Sequence, residues 1–123
     1  MADLGTLQRM SKLVGSGISR ELALSSEPMN AERALQVQFI NRMYDDKDAL
    51  LAGARQLARS INANSPLVVQ GTKLIINFSE EHTLDEGLLH VALWNSAFLH
   101  SDDLIEAVSA HLQKRTPLFR NRL

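Results

Sequence analysis

The sequence predicts a mostly α fold, and three kinds of observation carry that prediction. Apolar residues recur at helical spacing, as in Leu50, Ala54, Leu57, Ala58 and Ile61, which line one face of a 3.6-residue repeat. Helix-start signals recur along the chain at Asn30, Ser65-Pro66, Thr83 and Ser101, each able to satisfy backbone N–H groups that a first helical turn leaves open. Strand-type alternation of apolar and polar residues is nearly absent.

Taken in order, Thr6 to Val14 carries Leu7, Met10, Leu13 and Val14 at helical spacing, and Gly15-Ser16-Gly17 is expected to break that helix. Ile18 to Leu24 forms a second short helix, and Pro28 marks the loop after it. Asn30 caps a helix over Ala31 to Val37. Phe39 to Tyr44 is the only plausible strand. Asp45 and Asp46 then place negative charge where the next helix dipole is positive. The longest helix is expected over Lys47 to Asn62. Ser65 caps the following one, with Pro66 at its first position and Val68, Val69, Thr72, Ile75 and Ile76 along it. Thr83-Leu84-Asp85-Glu86 reads as a capping box, in which each polar side chain satisfies the other's backbone N–H. Leu84, Leu88, Val91, Ala92, Asn95 and Phe98 follow on one face. Ser101-Asp102-Asp103 opens a final helix bearing Leu104, Ile105, Val108 and Leu112, which Pro117 ends. This makes six or seven helices, with no internal repeat and no interdomain linker.

Composition narrows the function classes. The chain is 45% apolar and 22% charged, the balance of an ordinary globular domain. A net charge of -1 gives no electrostatic reason to expect nucleic acid or an anionic membrane as partner. No cysteine is present, which removes disulfides, thiolate metal sites and cysteine nucleophiles. No apolar run approaches the roughly 20 residues of a membrane span, and no secretory signal opens the chain, so an intracellular protein is expected. The histidines at 82, 90, 100 and 111 form no i,i+3 or i,i+4 pair, so no metal site is expected. Gly15-Ser16-Gly17 starts like a dinucleotide loop but has Arg20 where the pattern continues with glycine, and no strand precedes it. Neither a nucleophile elbow nor a P-loop occurs. Generic motifs therefore point to no active site.

A family resemblance adds what those motifs do not. Ala2-Asp3-Leu4-Gly5-Thr6-Leu7-Gln8-Arg9-Met10 resembles the segment that opens the C-terminal half of the enoyl-CoA hydratase/isomerase (crotonase) superfamily, especially its dienoyl-CoA isomerase branch. The likeness continues through Arg20-Glu21-Leu22-Ala23-Leu24, Asn30-Ala31-Glu32-Arg33-Ala34-Leu35 and Ile40-Asn41-Arg42. It resumes at Asn64-Ser65-Pro66-Leu67-Val68-Val69, Gly71-Thr72-Lys73, Ala92-Leu93-Trp94-Asn95 and Leu112-Gln113-Lys114-Arg115. One departure is Gln38, which stands where the family usually has a glycine before a short strand.

The resemblance implies that residues 1–123 are the C-terminal helical part of a crotonase-like fold, without the N-terminal β-β-α spiral. About 1–45 would end the core, and 46–123 would form a helical trimerisation region. It implies an acyl-CoA isomerase or hydratase of fatty-acid β-oxidation, most like a delta(3,5)-delta(2,4)-dienoyl-CoA isomerase. A coenzyme A thioester would be the substrate, with no permanently bound cofactor. Asp3 falls on the branch's aspartate, one of the carboxylates that remove a proton and return it further along the acyl chain. Read locally, a lone aspartate ahead of a helix such as Asp3 is most often a cap or a solvated end. The partner glutamate, eight positions earlier in the family, and both oxyanion donors would lie before Met1, so the chain alone is expected to be inactive.

Lys114 and Arg115 resemble basic residues of the family's last helix that reach the phosphates of coenzyme A. Their local reading is a solvated basic helix end that suits the dipole. Phe39, Trp94 and Phe98 read as packing residues. The implied partners are an acyl-CoA and further copies in a trimer or hexamer, or an N-terminal half that this chain complements. The implied place is the mitochondrial matrix or a peroxisome-like organelle, with Asn121-Arg122-Leu123 loosely resembling a peroxisomal address. An enoyl-CoA hydratase and a non-catalytic helical interaction module stand as the alternatives.

Overall fold

The computed structural model describes residues 5–120. Among these residues six helices follow in chain order: α1 Thr6–Ser25, α2 Ala31–Gln36, α3 Lys47–Asn62, α4 Pro66–Ser79, α5 Leu84–Phe98 and α6 Asp102–Leu112. No strand is present among the described residues. Two compact units divide the chain, residues 1–54 and 55–123, with the boundary inside α3.

In the first unit, the expected break at Gly15-Ser16-Gly17 narrows to one residue. Gly15 takes φ 78 and ψ 164 inside an otherwise helical run, a conformation open essentially to glycine alone. Ser19 Oγ then donates to the Gly15 carbonyl at 2.8 Å, giving an acceptor to a hydroxyl that is itself buried. Asn30 caps α2 as expected, its Oδ1 accepting from Arg33 N–H at 2.8 Å.

The strand expected over Phe39 to Tyr44 does not form. The backbone instead closes α2 with a Schellman motif: Phe39 N–H donates to the Ala34 carbonyl at 2.8 Å and Gln38 N–H to that of Leu35 at 3.1 Å. Gln38 supplies the left-handed residue of that motif at φ 60. The same position carries glycine in the family pattern, and here the side chain is simply accommodated at some backbone cost. With these amides turned back onto α2, the segment has no ladder to join. Beyond it, Asp46 Oδ1 accepts from Ala49 N–H at 2.7 Å and starts α3. Tyr44 lies back over Gly53, where a Cβ would collide with the phenol ring.

In the second unit α4 packs on α5. Gly71 is a point of close contact, since a Cβ built there would stand 2.5 Å from Trp94 Cε2. The Trp94 ring meets Phe98 at 4.5 Å between centroids. Phe78 is stacked between His82 and His90, at 3.6 and 4.3 Å. Both predicted caps form. Ser65 Oγ accepts from Val68 N–H, and Thr83 and Glu86 make the complete capping box.

Burial is sparse in both units. Ala34 and Ala110 are the buried apolar residues among those described, while Leu24, Leu84, Leu112 and Leu118 are each more than three-quarters exposed. Much of the apolar stripes that predicted the helices is thus exposed, as at Leu7, Leu50, Leu57 and Leu88, while Met10, Val14, Val69, Ile75 and Val91 are half-buried. Apolar surface of that extent is of the kind that protein contacts or ligand grooves cover.

Candidate functional site

The features that bear on chemistry gather around α6 in the second unit. Ser101 caps this helix, accepting from Leu104 N–H at 3.3 Å, and Asp102 and Asp103 place negative charge in its first turn. Asp103 has a second task. Its Oδ2 accepts from Ser65 Oγ at 2.5 Å, so one buried serine joins the start of α4 to the start of α6.

The other end of α6 is a second Schellman motif. Arg115 N–H donates to the Ala110 carbonyl at 3.0 Å and Lys114 N–H to that of His111 at 3.1 Å. Lys114 is its left-handed residue, at φ 52. The helix therefore stops at Leu112, ahead of the Pro117 that was expected to end it. Arg115, the next residue, turns back along α6 and grips Glu106. Its Nη1 and Nη2 donate to the two carboxylate oxygens at 2.5 and 2.9 Å, the bidentate geometry that makes such pairs strong. Leu118 N–H adds a third bond to Glu106 at 2.7 Å.

These bonds change the chemistry of both groups. Hydrogen bonds from Arg115 foremost, then the Leu118 amide and the Arg115 charge, hold the Glu106 carboxyl down at about 2. The same pairing pushes the Arg115 guanidinium up. Behind the pair lies a cavity of ≈ 850 Å³ between the start of α4, α6 and residues 115–120. Leu67, Ile105, Leu118 and Phe119 give it an apolar lining, and its charged lining is mixed, Arg115 and Arg120 against Asp102, Asp103 and Glu106. With charges of both signs around it, the cavity's apolar lining is the feature that points to a class of ligand, one with a hydrocarbon part.

Among the predicted site residues, Lys114 and Arg115 are adjacent on this turn and exposed, with Arg115 committed to Glu106. Lys114 makes no ion pair among the described residues. Asp3 lies outside the described residues, as do Asn121, Arg122 and Leu123. The described residues bring no three His, Asp or Glu side chains together as a metal set. None of their helices is long and apolar enough to cross a membrane. Glu106 escaped the sequence reading, because a carboxylate nine positions before its arginine, across a helix end, follows no regular spacing.

Comparison with known proteins gives this arrangement its context. The family model described as enoyl-CoA hydratase/isomerase matches residues 1–122. The mitochondrial delta(3,5)-delta(2,4)-dienoyl-CoA isomerase of Dictyostelium discoideum is 54% identical over 123 residues, covering 100% of this chain and 42% of that protein. The peroxisomal delta(3,5)-delta(2,4)-dienoyl-CoA isomerase of Arabidopsis thaliana is 43% identical, covering 97% of this chain and 43% of its own length. Among solved structures, an enoyl-CoA hydratase from Mycobacterium marinum superposes with a TM-score of 0.89 at 32% identity, covering 98% of this chain and 49% of that one. The chain thus spans less than half the length of these relatives, and it matches their C-terminal part. With helices in the order and geometry of the C-terminal portion of a crotonase fold, the chain belongs to the enoyl-CoA hydratase/isomerase family.

Proposed function

We propose that the chain serves as the C-terminal part of an acyl-CoA isomerase of β-oxidation that moves a conjugated diene from the 3,5 to the 2,4 position. The observation that carries this reading is the 54% identity, over the whole chain, to a protein named for that reaction. Asp3 is one of the two acid/base carboxylates. One carboxylate takes a proton from the acyl chain next to the diene, and the other returns a proton further along, so the substrate is isomerised without net gain or loss. The thioester oxygen carries the transient negative charge and needs preorganised N–H donors from another part of the assembly. The basic turn at Lys114 and Arg115 receives the phosphates of coenzyme A, and no permanently bound cofactor takes part.

The outward apolar faces support an assembly in which residues 46–123 cover one another in a trimer or hexamer, while residues 1–45 complete the core of each subunit. The two dienoyl-CoA isomerases named above are called mitochondrial and peroxisomal, and one of those compartments is the proposed place of action.

The test is to assay the chain with 3,5-dienoyl-CoA and with 2-enoyl-CoA, alone and after adding the N-terminal half of a relative. Isomerisation of the dienoyl ester that needs complementation supports the reading. Hydration of the enoyl ester without isomerisation moves the chain to the hydratase branch. A chain that binds no coenzyme A ester and gains no activity in either setting is a non-catalytic helical module instead.

A further inference from the structure

The pairing of Glu106 with Arg115 bears on how the basic turn meets its ligand. Arginine is ordinarily the better phosphate ligand, because its planar fork matches two oxygens at once. In this chain the fork is already filled. Arg115 Nη1 and Nη2 are held by Glu106, Nε donates to Gln113 Oε1 at 2.8 Å, and Nη1 also reaches the Thr116 carbonyl at 3.2 Å. All of these acceptors belong to the turn itself or to the helix beneath it. Withdrawing the guanidinium toward a phosphate would strip Glu106 of its cation. Glu106 also anchors the segment beyond the turn through the Leu118 amide.

Lys114 is in the opposite situation. Its backbone is held at φ 52, a conformation a lysine adopts only where its surroundings impose it. The two Schellman hydrogen bonds on one side and the Glu106 bonds on the other do so. Its side chain is exposed and makes no ion pair among the described residues.

We propose, building on the thioester reading above, that Glu106 is a positioning residue for the phosphates of the coenzyme A substrate. It locks Arg115 and Leu118 into the turn, so that Lys114 rather than Arg115 is the cation that meets those phosphates. Arg115 is a strut. The low ionisation point of Glu106, near 2, means that the clamp stays charged throughout the physiological range.

The two assignments predict opposite signs for one variant. The active assembly is assayed with a coenzyme A thioester and with the matching pantetheine thioester, which has the same acyl group and no nucleotide phosphates. Lys114→Ala is expected to raise KM for the coenzyme A ester about tenfold, the loss of one charge-assisted contact, and to leave KM for the pantetheine ester in place. Glu106→Ala is expected to raise the same KM several-fold with kcat retained. It should add nothing once Lys114→Ala is present, because it acts through Lys114. Arg115→Ala is expected to behave like Glu106→Ala, and the two together no worse than either.

A fall in KM on Glu106→Ala, or an effect of Arg115→Ala that adds in full to Lys114→Ala, would make Arg115 the phosphate ligand and overturn the proposal. Should the alanine variant fail to fold, Glu106→Gln keeps an acceptor oxygen, removes the charge and is read the same way. A wild-type assembly that handles both thioesters with equal KM overturns the phosphate reading as a whole, and this assignment with it.

Discussion

Replacing Gly71 with alanine isolates the contact of α4 with the Trp94 ring of α5. In a helix interior that substitution ordinarily stabilises by about 1 kcal/mol, because alanine loses less backbone freedom than glycine. At Gly71 the new methyl would stand 2.5 Å from Trp94 Cε2 and 2.6 Å from Cζ2 and Nε1. Those atoms belong to a rigid ring, already in contact with Phe98, and cannot rotate aside one at a time. Overpacking of this kind costs about 1–3 kcal/mol, so Gly71→Ala is expected to be neutral at best and destabilising by about 2 kcal/mol at worst. Gly87 is the internal control, in the same unit and also helical. The atom its methyl would crowd is the Ser79 hydroxyl at 2.9 Å, which turns away by a χ1 rotation. Gly87→Ala should therefore retain most of the ordinary gain. Thermal unfolding followed by the emission of Trp94, the single tryptophan, reads both variants, with about 4–8 °C expected per kcal/mol in a unit of this size. A Gly71→Ala protein that melts as high as Gly87→Ala, with unchanged Trp94 emission, would refute the close packing of these helices.

Three further outcomes follow from local geometry. Gln38→Gly should raise the stability of the first unit by about 1 kcal/mol, since Gln38 holds a left-handed conformation that glycine adopts freely; a loss in a urea titration would contradict the turn assigned there. Thr83→Ala should cost about 1 kcal/mol through loss of the cap. It should also let the Glu86 carboxyl, now lowered chiefly by the Thr83 hydroxyl and then by its amide, rise part of the way back in an NMR titration. Glu106 titrates at about 2 in the folded chain against an ordinary 4.5, so its contribution is present above pH 4.5 and is lost as pH falls from there toward 2. The urea midpoint of the wild type should consequently drop more steeply over that acid window than that of Glu106→Gln, and parallel curves would count against the clamp.

What could be read in advance was local. Asn30, Ser65, Thr83 and Ser101 each cap a helix as expected, because a cap is made by residues within a turn of one another. The strand expected at Phe39–Tyr44 failed on the same scale. Its apolar residues suggested an extended segment, but the closing turn of α2 uses a left-handed glutamine, and no glycine stands there to announce it. Lys114 hides a left-handed turn in the same way. Gly71 against Trp94, Ser65 to Asp103 and Glu106 to Arg115 join residues that no short pattern relates. The site was legible only in part for a different reason. Asp3 is a single acidic residue whose proposed role depends on groups elsewhere in the assembly, and its neighbours in sequence carry no generic catalytic motif.

The proton-transfer role proposed for Asp3 is tested most directly by Asp3→Asn in the active assembly, with isomerisation of a 3,5-dienoyl-CoA followed as it converts to the 2,4-diene. Loss of a positioned acid/base is expected to lower kcat by about 10²–10⁴-fold, with KM for the thioester nearly unchanged because the turn proposed to meet the phosphates is untouched. Wild-type turnover by the asparagine variant, or an equal loss of kcat for dienoyl isomerisation and enoyl hydration, would contradict the assignment of Asp3 to the diene shift.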